Sequence, residues 1–240
     1  SCGPDQEAYN YHKVVEMCER LDLFGEAVKA AKRHGVKIMA WFNLFEWQCI
    51  RSGYIEIRDR LWHNNPRKYW CNRDQSRFYH GIPVLADPEV RERVVNIMEE
   101  LCAYESDGIY ISSRTHSWQP GLPVADGWKH PEEFGFDEFV VRDYLDKHGV
   151  NICYEDFDRD KWNRIKGDHL TEMLRSIQGV IRKHDQRFIF GTFPYRTQLV
   201  GSPQKNHPLG QAIQLYKDWE YWAEEALIDG LCRESECPHV

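Results

Sequence analysis

The sequence predicts an α/β protein built as a (β/α) TIM-type barrel, and three observations predict it. Hydrophobic, strand-like runs alternate with long amphipathic helices, and each such run ends in a polar cluster. Strand, helix and strand at this spacing make right-handed βαβ units, which lay helices against a parallel sheet. No Pro/Gly/Ser-rich linker divides the chain, so residues 1–240 read as a single domain.

The elements follow in order. In residues 23–34 (LFGEAVKAAKRH), Phe24, Ala27, Val28 and Ala31 fall at helical spacing, and Gly35 supplies the stop. Residues 36–43 (VKIMAWFN) have the dense apolar and aromatic character of a parallel strand buried on both faces. Residues 44–86 read as one long irregular segment, a candidate substrate wall. Asp87, Pro88 and Glu89 are an N-cap, an N1 proline and an acidic first turn. Val90, Val94, Ile97, Met98 and Leu101 then form one helical stripe.

Asp107-Gly108 leads into a strand (IYISS), and a second long loop follows. Asp137 and Glu138 open a short helix closed by Gly149. A longer one runs from about Asp158 to His184 with Trp162, Ile165, Leu170, Met173, Leu174, Ile177 and Ile181 inward. Residues 187–193 give a strand, 209–226 a helix and 227–232 a last short strand. That makes four good strands, or five with residues 82–85, where a closed barrel needs eight. The sequence opens on a helix and stops just after a strand. The expectation is therefore an incomplete barrel that lacks its first and last strands.

Composition removes several function classes. An apolar share of 42% suffices for a sizeable core, yet no run approaches the roughly 18 apolar residues of a membrane span. With 31 basic and 38 acidic side chains the net charge is −7 and no dense Lys/Arg stripe exists, so neither nucleic acid nor membrane is expected as a partner. The eight cysteines are spread widely and include no C-x-x-C pair, leaving the redox compartment open. Cys232, Cys237 and His239 read as a frayed tail rather than a metal site. No histidines stand at H-x-H or H-E-x-x-H spacing, so no catalytic metal or other cofactor is expected. The start at Ser1, without Met or a signal-peptide pattern, reads as a processed or excised terminus.

Parallel α/β folds gather their functional groups beyond the carboxyl ends of the strands. That rule selects NLFEW (43–47), SSRTHSW (112–118), TFPYR (192–196) and RESE (233–236). Glu46 and Glu234 lie just past strand ends, where a carboxylate can act as acid, base or nucleophile; the alternative is an ordinary solvated Glu. Asp87 and Asp137 are better explained as caps, and Asp107 and Asp229 as structural charges at the opposite edge. The nine tryptophans and twelve tyrosines are a high load, and Trp47, Trp62, Trp70, Trp118 and Trp128 sit in the long loops. Flat apolar ring faces match the C–H faces of sugars, which favours carbohydrate; packing anchors for long loops are the competing explanation. On the carbohydrate reading Trp47, Trp118 and Tyr195 stack on sugar, while Asn43, Arg114 and His116 fix hydroxyls. His116 serves equally as a hydrogen-bonded structural histidine.

The run LDLFGEAVKAAKRHGVKIMAWFNLFEW resembles the helix–strand unit of bacterial glycoside hydrolase-like TIM-barrel proteins, the family 10-like glycosyl hydrolases. LADPEVRERVVNIMEELCAYESDGIYISSRTHSW, FGFDEFVVRDYLDKHGVNICYEDFDRDKWNRIKGDHLTEMLRSI and KDWEYWAEEALIDGLC agree in the same order, and together these segments span most of residues 20–232. The resemblance implies a glycosidase acting on a polysaccharide or oligosaccharide through carboxylates near strand ends, in a secreted or periplasmic setting. Where many such proteins carry Asp at the end of the DGI strand, this chain has Ser112. A serine cannot replace an acid, so the chain is either inactive or uses another carboxylate, with Glu138 and Glu46 the nearest. The leading expectation is hydrolysis by two of Glu46, Glu138 and Glu234. A non-catalytic carbohydrate-binding barrel and a hydrolase acting on some other small polar substrate are the rivals.

Overall fold

A computed structural model of the chain describes residues 16–17, 20–45, 65–113, 131–192 and 215–233. Helix α1 (Leu23–His34) begins where the Asp22 carboxylate accepts the Gly25 N–H at 2.9 Å, and ends at Gly35 in the left-handed conformation (φ 64°). Strand β1 (Ala40–Asn43) starts four residues later than the apolar run does. Val36 is 60% exposed, and the backbone of Ile38 is held by Asp107 instead of by a strand partner. Trp41 is likewise 60% exposed, so this strand is not buried on both faces.

The expected irregular segment contains a folded unit. A 3-10 turn (Pro66–Lys68) leads into β2 (Tyr69–Cys71), which pairs antiparallel with β3 (Phe78–Pro83). Residues 82 and 83 thus finish a hairpin, so the possible fifth strand is not part of the parallel sheet. Trp70 lies in the core beside the equally buried Tyr69 and Tyr79, which at this position favours the packing-anchor explanation of the aromatics. Asp87 caps α2 (Pro88–Cys102) through Glu89 N at 2.9 Å and also receives the buried Lys68 ammonium at 2.8 Å. Burial pulls the Lys68 pKa down, but hydrogen bonds to Asp87 and Glu89 outweigh it and hold the ammonium above its usual value. One carboxylate therefore starts a helix and anchors the hairpin to it.

Strand β4 (Gly108–Ser112) is followed by α3 (Glu138–His148), capped by Asp137 and closed by Gly149. Helix α4 (Arg159–Lys183), capped by Asp158, buries the stripe expected of it, including Trp162, Ile165, Leu170, Met173, Leu174, Ile177 and Ile181. Then come β5 (Arg187–Thr192), α5 (Trp219–Glu224) and β6 (Gly230–Arg233). Helix α5 is much shorter than 209–226: residues 215–218 are not helical, Ala226 adopts a positive φ of 48° just past its end, and 209–214 lie outside the described residues. Among the described residues no helix is long and apolar enough to cross a membrane.

The four strands β1, β4, β5 and β6 form one fully parallel sheet in that spatial order, so each new strand is added on the same side of the last. Ala40, Ile109, Ile111, Phe188 and Phe190 project to one face, where they share a core with Val94 and Met98 of α2, Leu174 and Ile177 of α4 and Trp222 of α5. On the alternate face Trp41 is exposed and Tyr110 and Ile189 are half-buried. The described helices thus cover one side of the sheet, as right-handed crossovers made repeatedly in one direction require. The described strands form an open sheet, not a closed barrel.

A repeated device sets the sheet's amino edge. Asp107 donates its N–H to the Ile38 carbonyl and accepts the Ile38 N–H on its carboxylate, both at 2.8 Å. Asp229 does the same to Phe188, again at 2.8 Å for both bonds. Glycine follows each aspartate because the neighbouring strand comes close: a Cβ on Gly108 would lie 2.4 Å from the Arg187 carbonyl oxygen, and one on Gly230 would lie 2.8 Å from Ile189 Cδ1. The first obstacle is backbone and cannot rotate away. Gly108→Ala is expected to cost about 1–3 kcal/mol, measured as a lower denaturant midpoint with an unchanged m-value; an unaltered midpoint would show that the strands are not this close.

Candidate functional site

The sheet register places Asn43, Ser112, Gly191 and Cys232 in one row at the carboxyl edge. Adjacent strands lie about 4.8 Å apart, so the Asn43 and Ser112 side chains are neighbours on one face. It is the face that the described helices leave uncovered. Asn43 Oδ1 accepts the Phe45 N–H at 3.2 Å, which turns the chain as it leaves β1. Leu44 N–H donates to the Ser112 carbonyl at 3.1 Å and Ser113 N–H to the Gly191 carbonyl at 3.0 Å, extending the ladder past the strands. Ser112 is fully buried, and Ser113 is 4% exposed with its Oγ lacking a hydrogen-bond partner among the described residues. The middle of the rim is therefore polar, small and uncharged.

Of the residues expected at the site, Asn43 stands at this rim. Glu46, Trp47, Arg114, His116, Trp118, Tyr195 and Glu234 lie outside the described residues, as do Trp62, Trp128, Cys237 and His239. Glu138 is exposed in the first turn of α3, in a cleft of about 210 Å³ lined by Arg67, Cys71, Gln75, Phe78 and Asp137. None of those residues belongs to the rim row. The cleft exists because Gly135 and Phe136 both donate N–H groups to the Cys71 carbonyl at 3.0 Å, docking the entry to α3 on the hairpin. Burial, reinforced by nearby Asp137, pushes the Cys71 thiol up to about 12, so this sulfur is not a thiolate nucleophile at neutral pH. Among the described residues no group of three or more His, Cys, Asp or Glu side chains is placed to hold a metal ion.

Two buried charges behind the cleft escape a reading by sequence. Asp137 is indeed a cap, accepting Phe139 N and Val140 N at 3.2 Å each, but it is 3% exposed and its second oxygen has no partner among the described residues. Burial raises its pKa against the pull of His169 and the capping N–H groups. Lys166 is 2% exposed, and its Nζ has no hydrogen bond among the described residues; it sits 3.3 Å from the centre of the Trp162 ring and 4.9 Å from that of Trp70. A cation over an aromatic face gains about 0.5–2 kcal/mol, whereas burying an ammonium costs several kcal/mol. Burial wins, and it drives Lys166 well below the usual lysine value even though Asp137 opposes the shift. Spacing was the available signal, since Lys166 follows Trp162 by four positions and precedes Leu170 by four on the apolar stripe.

The sign of the pH effect follows from linkage. With its folded pKa lowered, Lys166 binds a proton less readily when folded than when unfolded, so it destabilises the fold below the unfolded value of about 10.4 and the penalty fades as pH rises toward it. Lys166→Met combined with Asp137→Asn, which removes both buried charges and keeps a capping oxygen, is expected to stabilise the protein at neutral pH by about 1–4 kcal/mol, with a gain that shrinks toward pH ~10 in parallel melts of both proteins. A gain independent of pH would show that packing, not charge, is responsible. No protein-family model matches the chain, and no curated protein matches it; the geometry above is what any functional reading has to stand on.

Proposed function

We propose that the chain is a glycoside hydrolase-like (β/α) barrel domain that binds a polysaccharide or oligosaccharide at the carboxyl rim of its parallel sheet. It hydrolyses glycosidic bonds with a carboxyl pair drawn from Glu46, Glu138 and Glu234. The observation that supports this most is the combination of one-directional strand order with helices on one face. A doubly wound sheet reverses its strand order and carries helices on both faces, whereas a barrel wall does neither. In barrels of this kind the chemistry gathers beyond the carboxyl ends of the strands, which is where Asn43 stands and where Glu46 and Glu234 follow in the sequence.

In the proposed reaction one carboxylic acid protonates the leaving oxygen, and the other carboxylate attacks the sugar or activates a water, at separations of roughly 5 to 9.5 Å. Strands β1 and β6 are three spacings apart, about 14 Å at 4.8 Å each, so side chains reaching inward have to cover the difference. Asn43, half-buried at the carboxyl edge, supplies a short donor and acceptor suited to a sugar hydroxyl. A second reading, a carbohydrate-binding barrel without catalysis, is favoured by one observation: the central rim position is a fully buried serine that can neither donate an acid proton nor act as a carboxylate.

Single Glu→Gln replacements at positions 46, 138 and 234 separate the readings. Two of the three are expected to lower hydrolysis of a susceptible glycan by about a hundredfold or more, with melting temperature unchanged. Equal hydrolysis by all three variants would overturn the assignment. Glycan binding by a parent protein that hydrolyses nothing would select the binder.

A further inference from the structure

A groove larger than the Glu138 cleft lies away from the rim row. It holds about 570 Å³ between the hairpin turn, the 3-10 turn at Pro131–Glu133 and the segment before α4. Its walls are fixed from behind. Arg73 donates to the Ile152 carbonyl at 2.8 Å and the Glu155 carbonyl at 2.6 Å, Arg159 donates to the Glu132 carbonyl at 3.1 Å, and Arg77 pairs with Glu133. Arg73 and Arg159 both lie over the Phe157 ring, at 5.5 and 5.8 Å from its centre. A groove so braced loses little freedom on binding.

Two features define what it would hold. Tyr154 lines the groove with 85% of its surface exposed, although its backbone N–H is tied to the Asn151 carbonyl at 3.0 Å; the ring is presented to solvent from a fixed loop. The charges are balanced, three guanidinium groups (Arg73, Arg77, Arg159) against three carboxylates (Asp74, Glu132, Glu133). An anion entering would meet the carboxylates and a cation the guanidinium groups. A neutral ligand with an apolar ring face and many hydroxyls can use donors and acceptors alike.

We propose that this groove is a binding site for a short neutral oligosaccharide, with Tyr154 as its stacking platform, separate from the rim at which hydrolysis is proposed. The choice of a sugar rests on the carbohydrate reading above. The volume lies within the range of ordinary small-ligand sites, and the platform is free to receive a sugar ring without rearrangement.

Isothermal titration of the whole chain with cellohexaose, xylohexaose, laminarihexaose and chitohexaose, beside a sulfated hexasaccharide, tests it. At least one neutral sugar is expected to bind, with Tyr154→Ala weakening that binding about fivefold or more while the melting temperature stays put. The affinity should hold between about 0.05 and about 0.5 M salt. Equal binding by Tyr154→Ala, binding by none of the neutral sugars, or salt-sensitive binding of the sulfated sugar alone would each overturn the proposal. Tyr154-dependent binding by a protein that hydrolyses nothing would leave the groove standing and remove the hydrolase reading. Hydrolysis without any Tyr154-dependent binding would do the reverse.

Discussion

Two aspartates at the amino edge of the sheet set the geometry on which the rest depends. A parallel strand pair has no hairpin to fix its register, and a slip of one residue would turn every side chain to the opposite face. Asp107 and Asp229 remove that freedom at two of the three seams, because each binds one residue through both backbone and carboxylate: Ile38 just before β1 and Phe188 within β5. Lys37 and the Ile38 N–H hold the Asp107 carboxyl below the usual carboxylate range, so the clamp stays ionised. With those two seams pinned at the amino edge, their register at the other end is determined: Asn43 opposite Ser112 and Gly191 opposite Cys232. The polar rim is a consequence of charge placed at the far side of the sheet.

The segments between the strands use the carboxyl side for construction. The hairpin leaves after β1 and α3 is inserted after β4, and the two meet through the Cys71 carbonyl and the Asn72–Phe134 bridge. Arg73 extends the same joint to residues 152–155, and Lys68 ties it to α2 through Asp87. These contacts join parts distant in sequence, and they build both clefts. Their energetic burden falls on Lys166 and Asp137, which end up enclosed behind the joint with unpartnered atoms. A protein selected for stability alone would place apolar groups there.

The four longer helices were legible in the sequence because their ends are local chemistry, whereas α5, expected over 209–226, has no side-chain cap to mark where it starts. Gly35, Asp87 with Pro88, Asp137 with Gly149 and Asp158 each announce a boundary within a few residues, while the Asp22 cap emerged only with the structure. The strands after Asp-Gly were legible for the same reason. The hairpin was not, since three residues of β2 are too few to display alternation and its buried rings resemble loop aromatics. Nor could sequence place Glu138 beside Arg67, Cys71 and Phe78, residues some sixty or seventy positions earlier. Lys166 was hidden in a different way, as a charge on an apolar stripe that ordinarily snorkels to water.

Sidedness connects the fold to its proposed use. Residues that point toward the helices, from Ile109 and Ile111 to Phe188 and Phe190, are almost wholly buried, while Trp41, Tyr110 and Ile189 on the other face are not. Asn43 and Ser112 extend this second face at its carboxyl end. In a barrel that face is the inner one, and its last polar row borders the mouth where substrates enter. A sheet covered on both sides would bury the same row under helices and would need a reversal of strand order to open a crevice; the four strands described here contain no such reversal. The exposure of Trp41 and the position of Asn43 are therefore two consequences of one arrangement, in which the described helices cover only one side of the sheet.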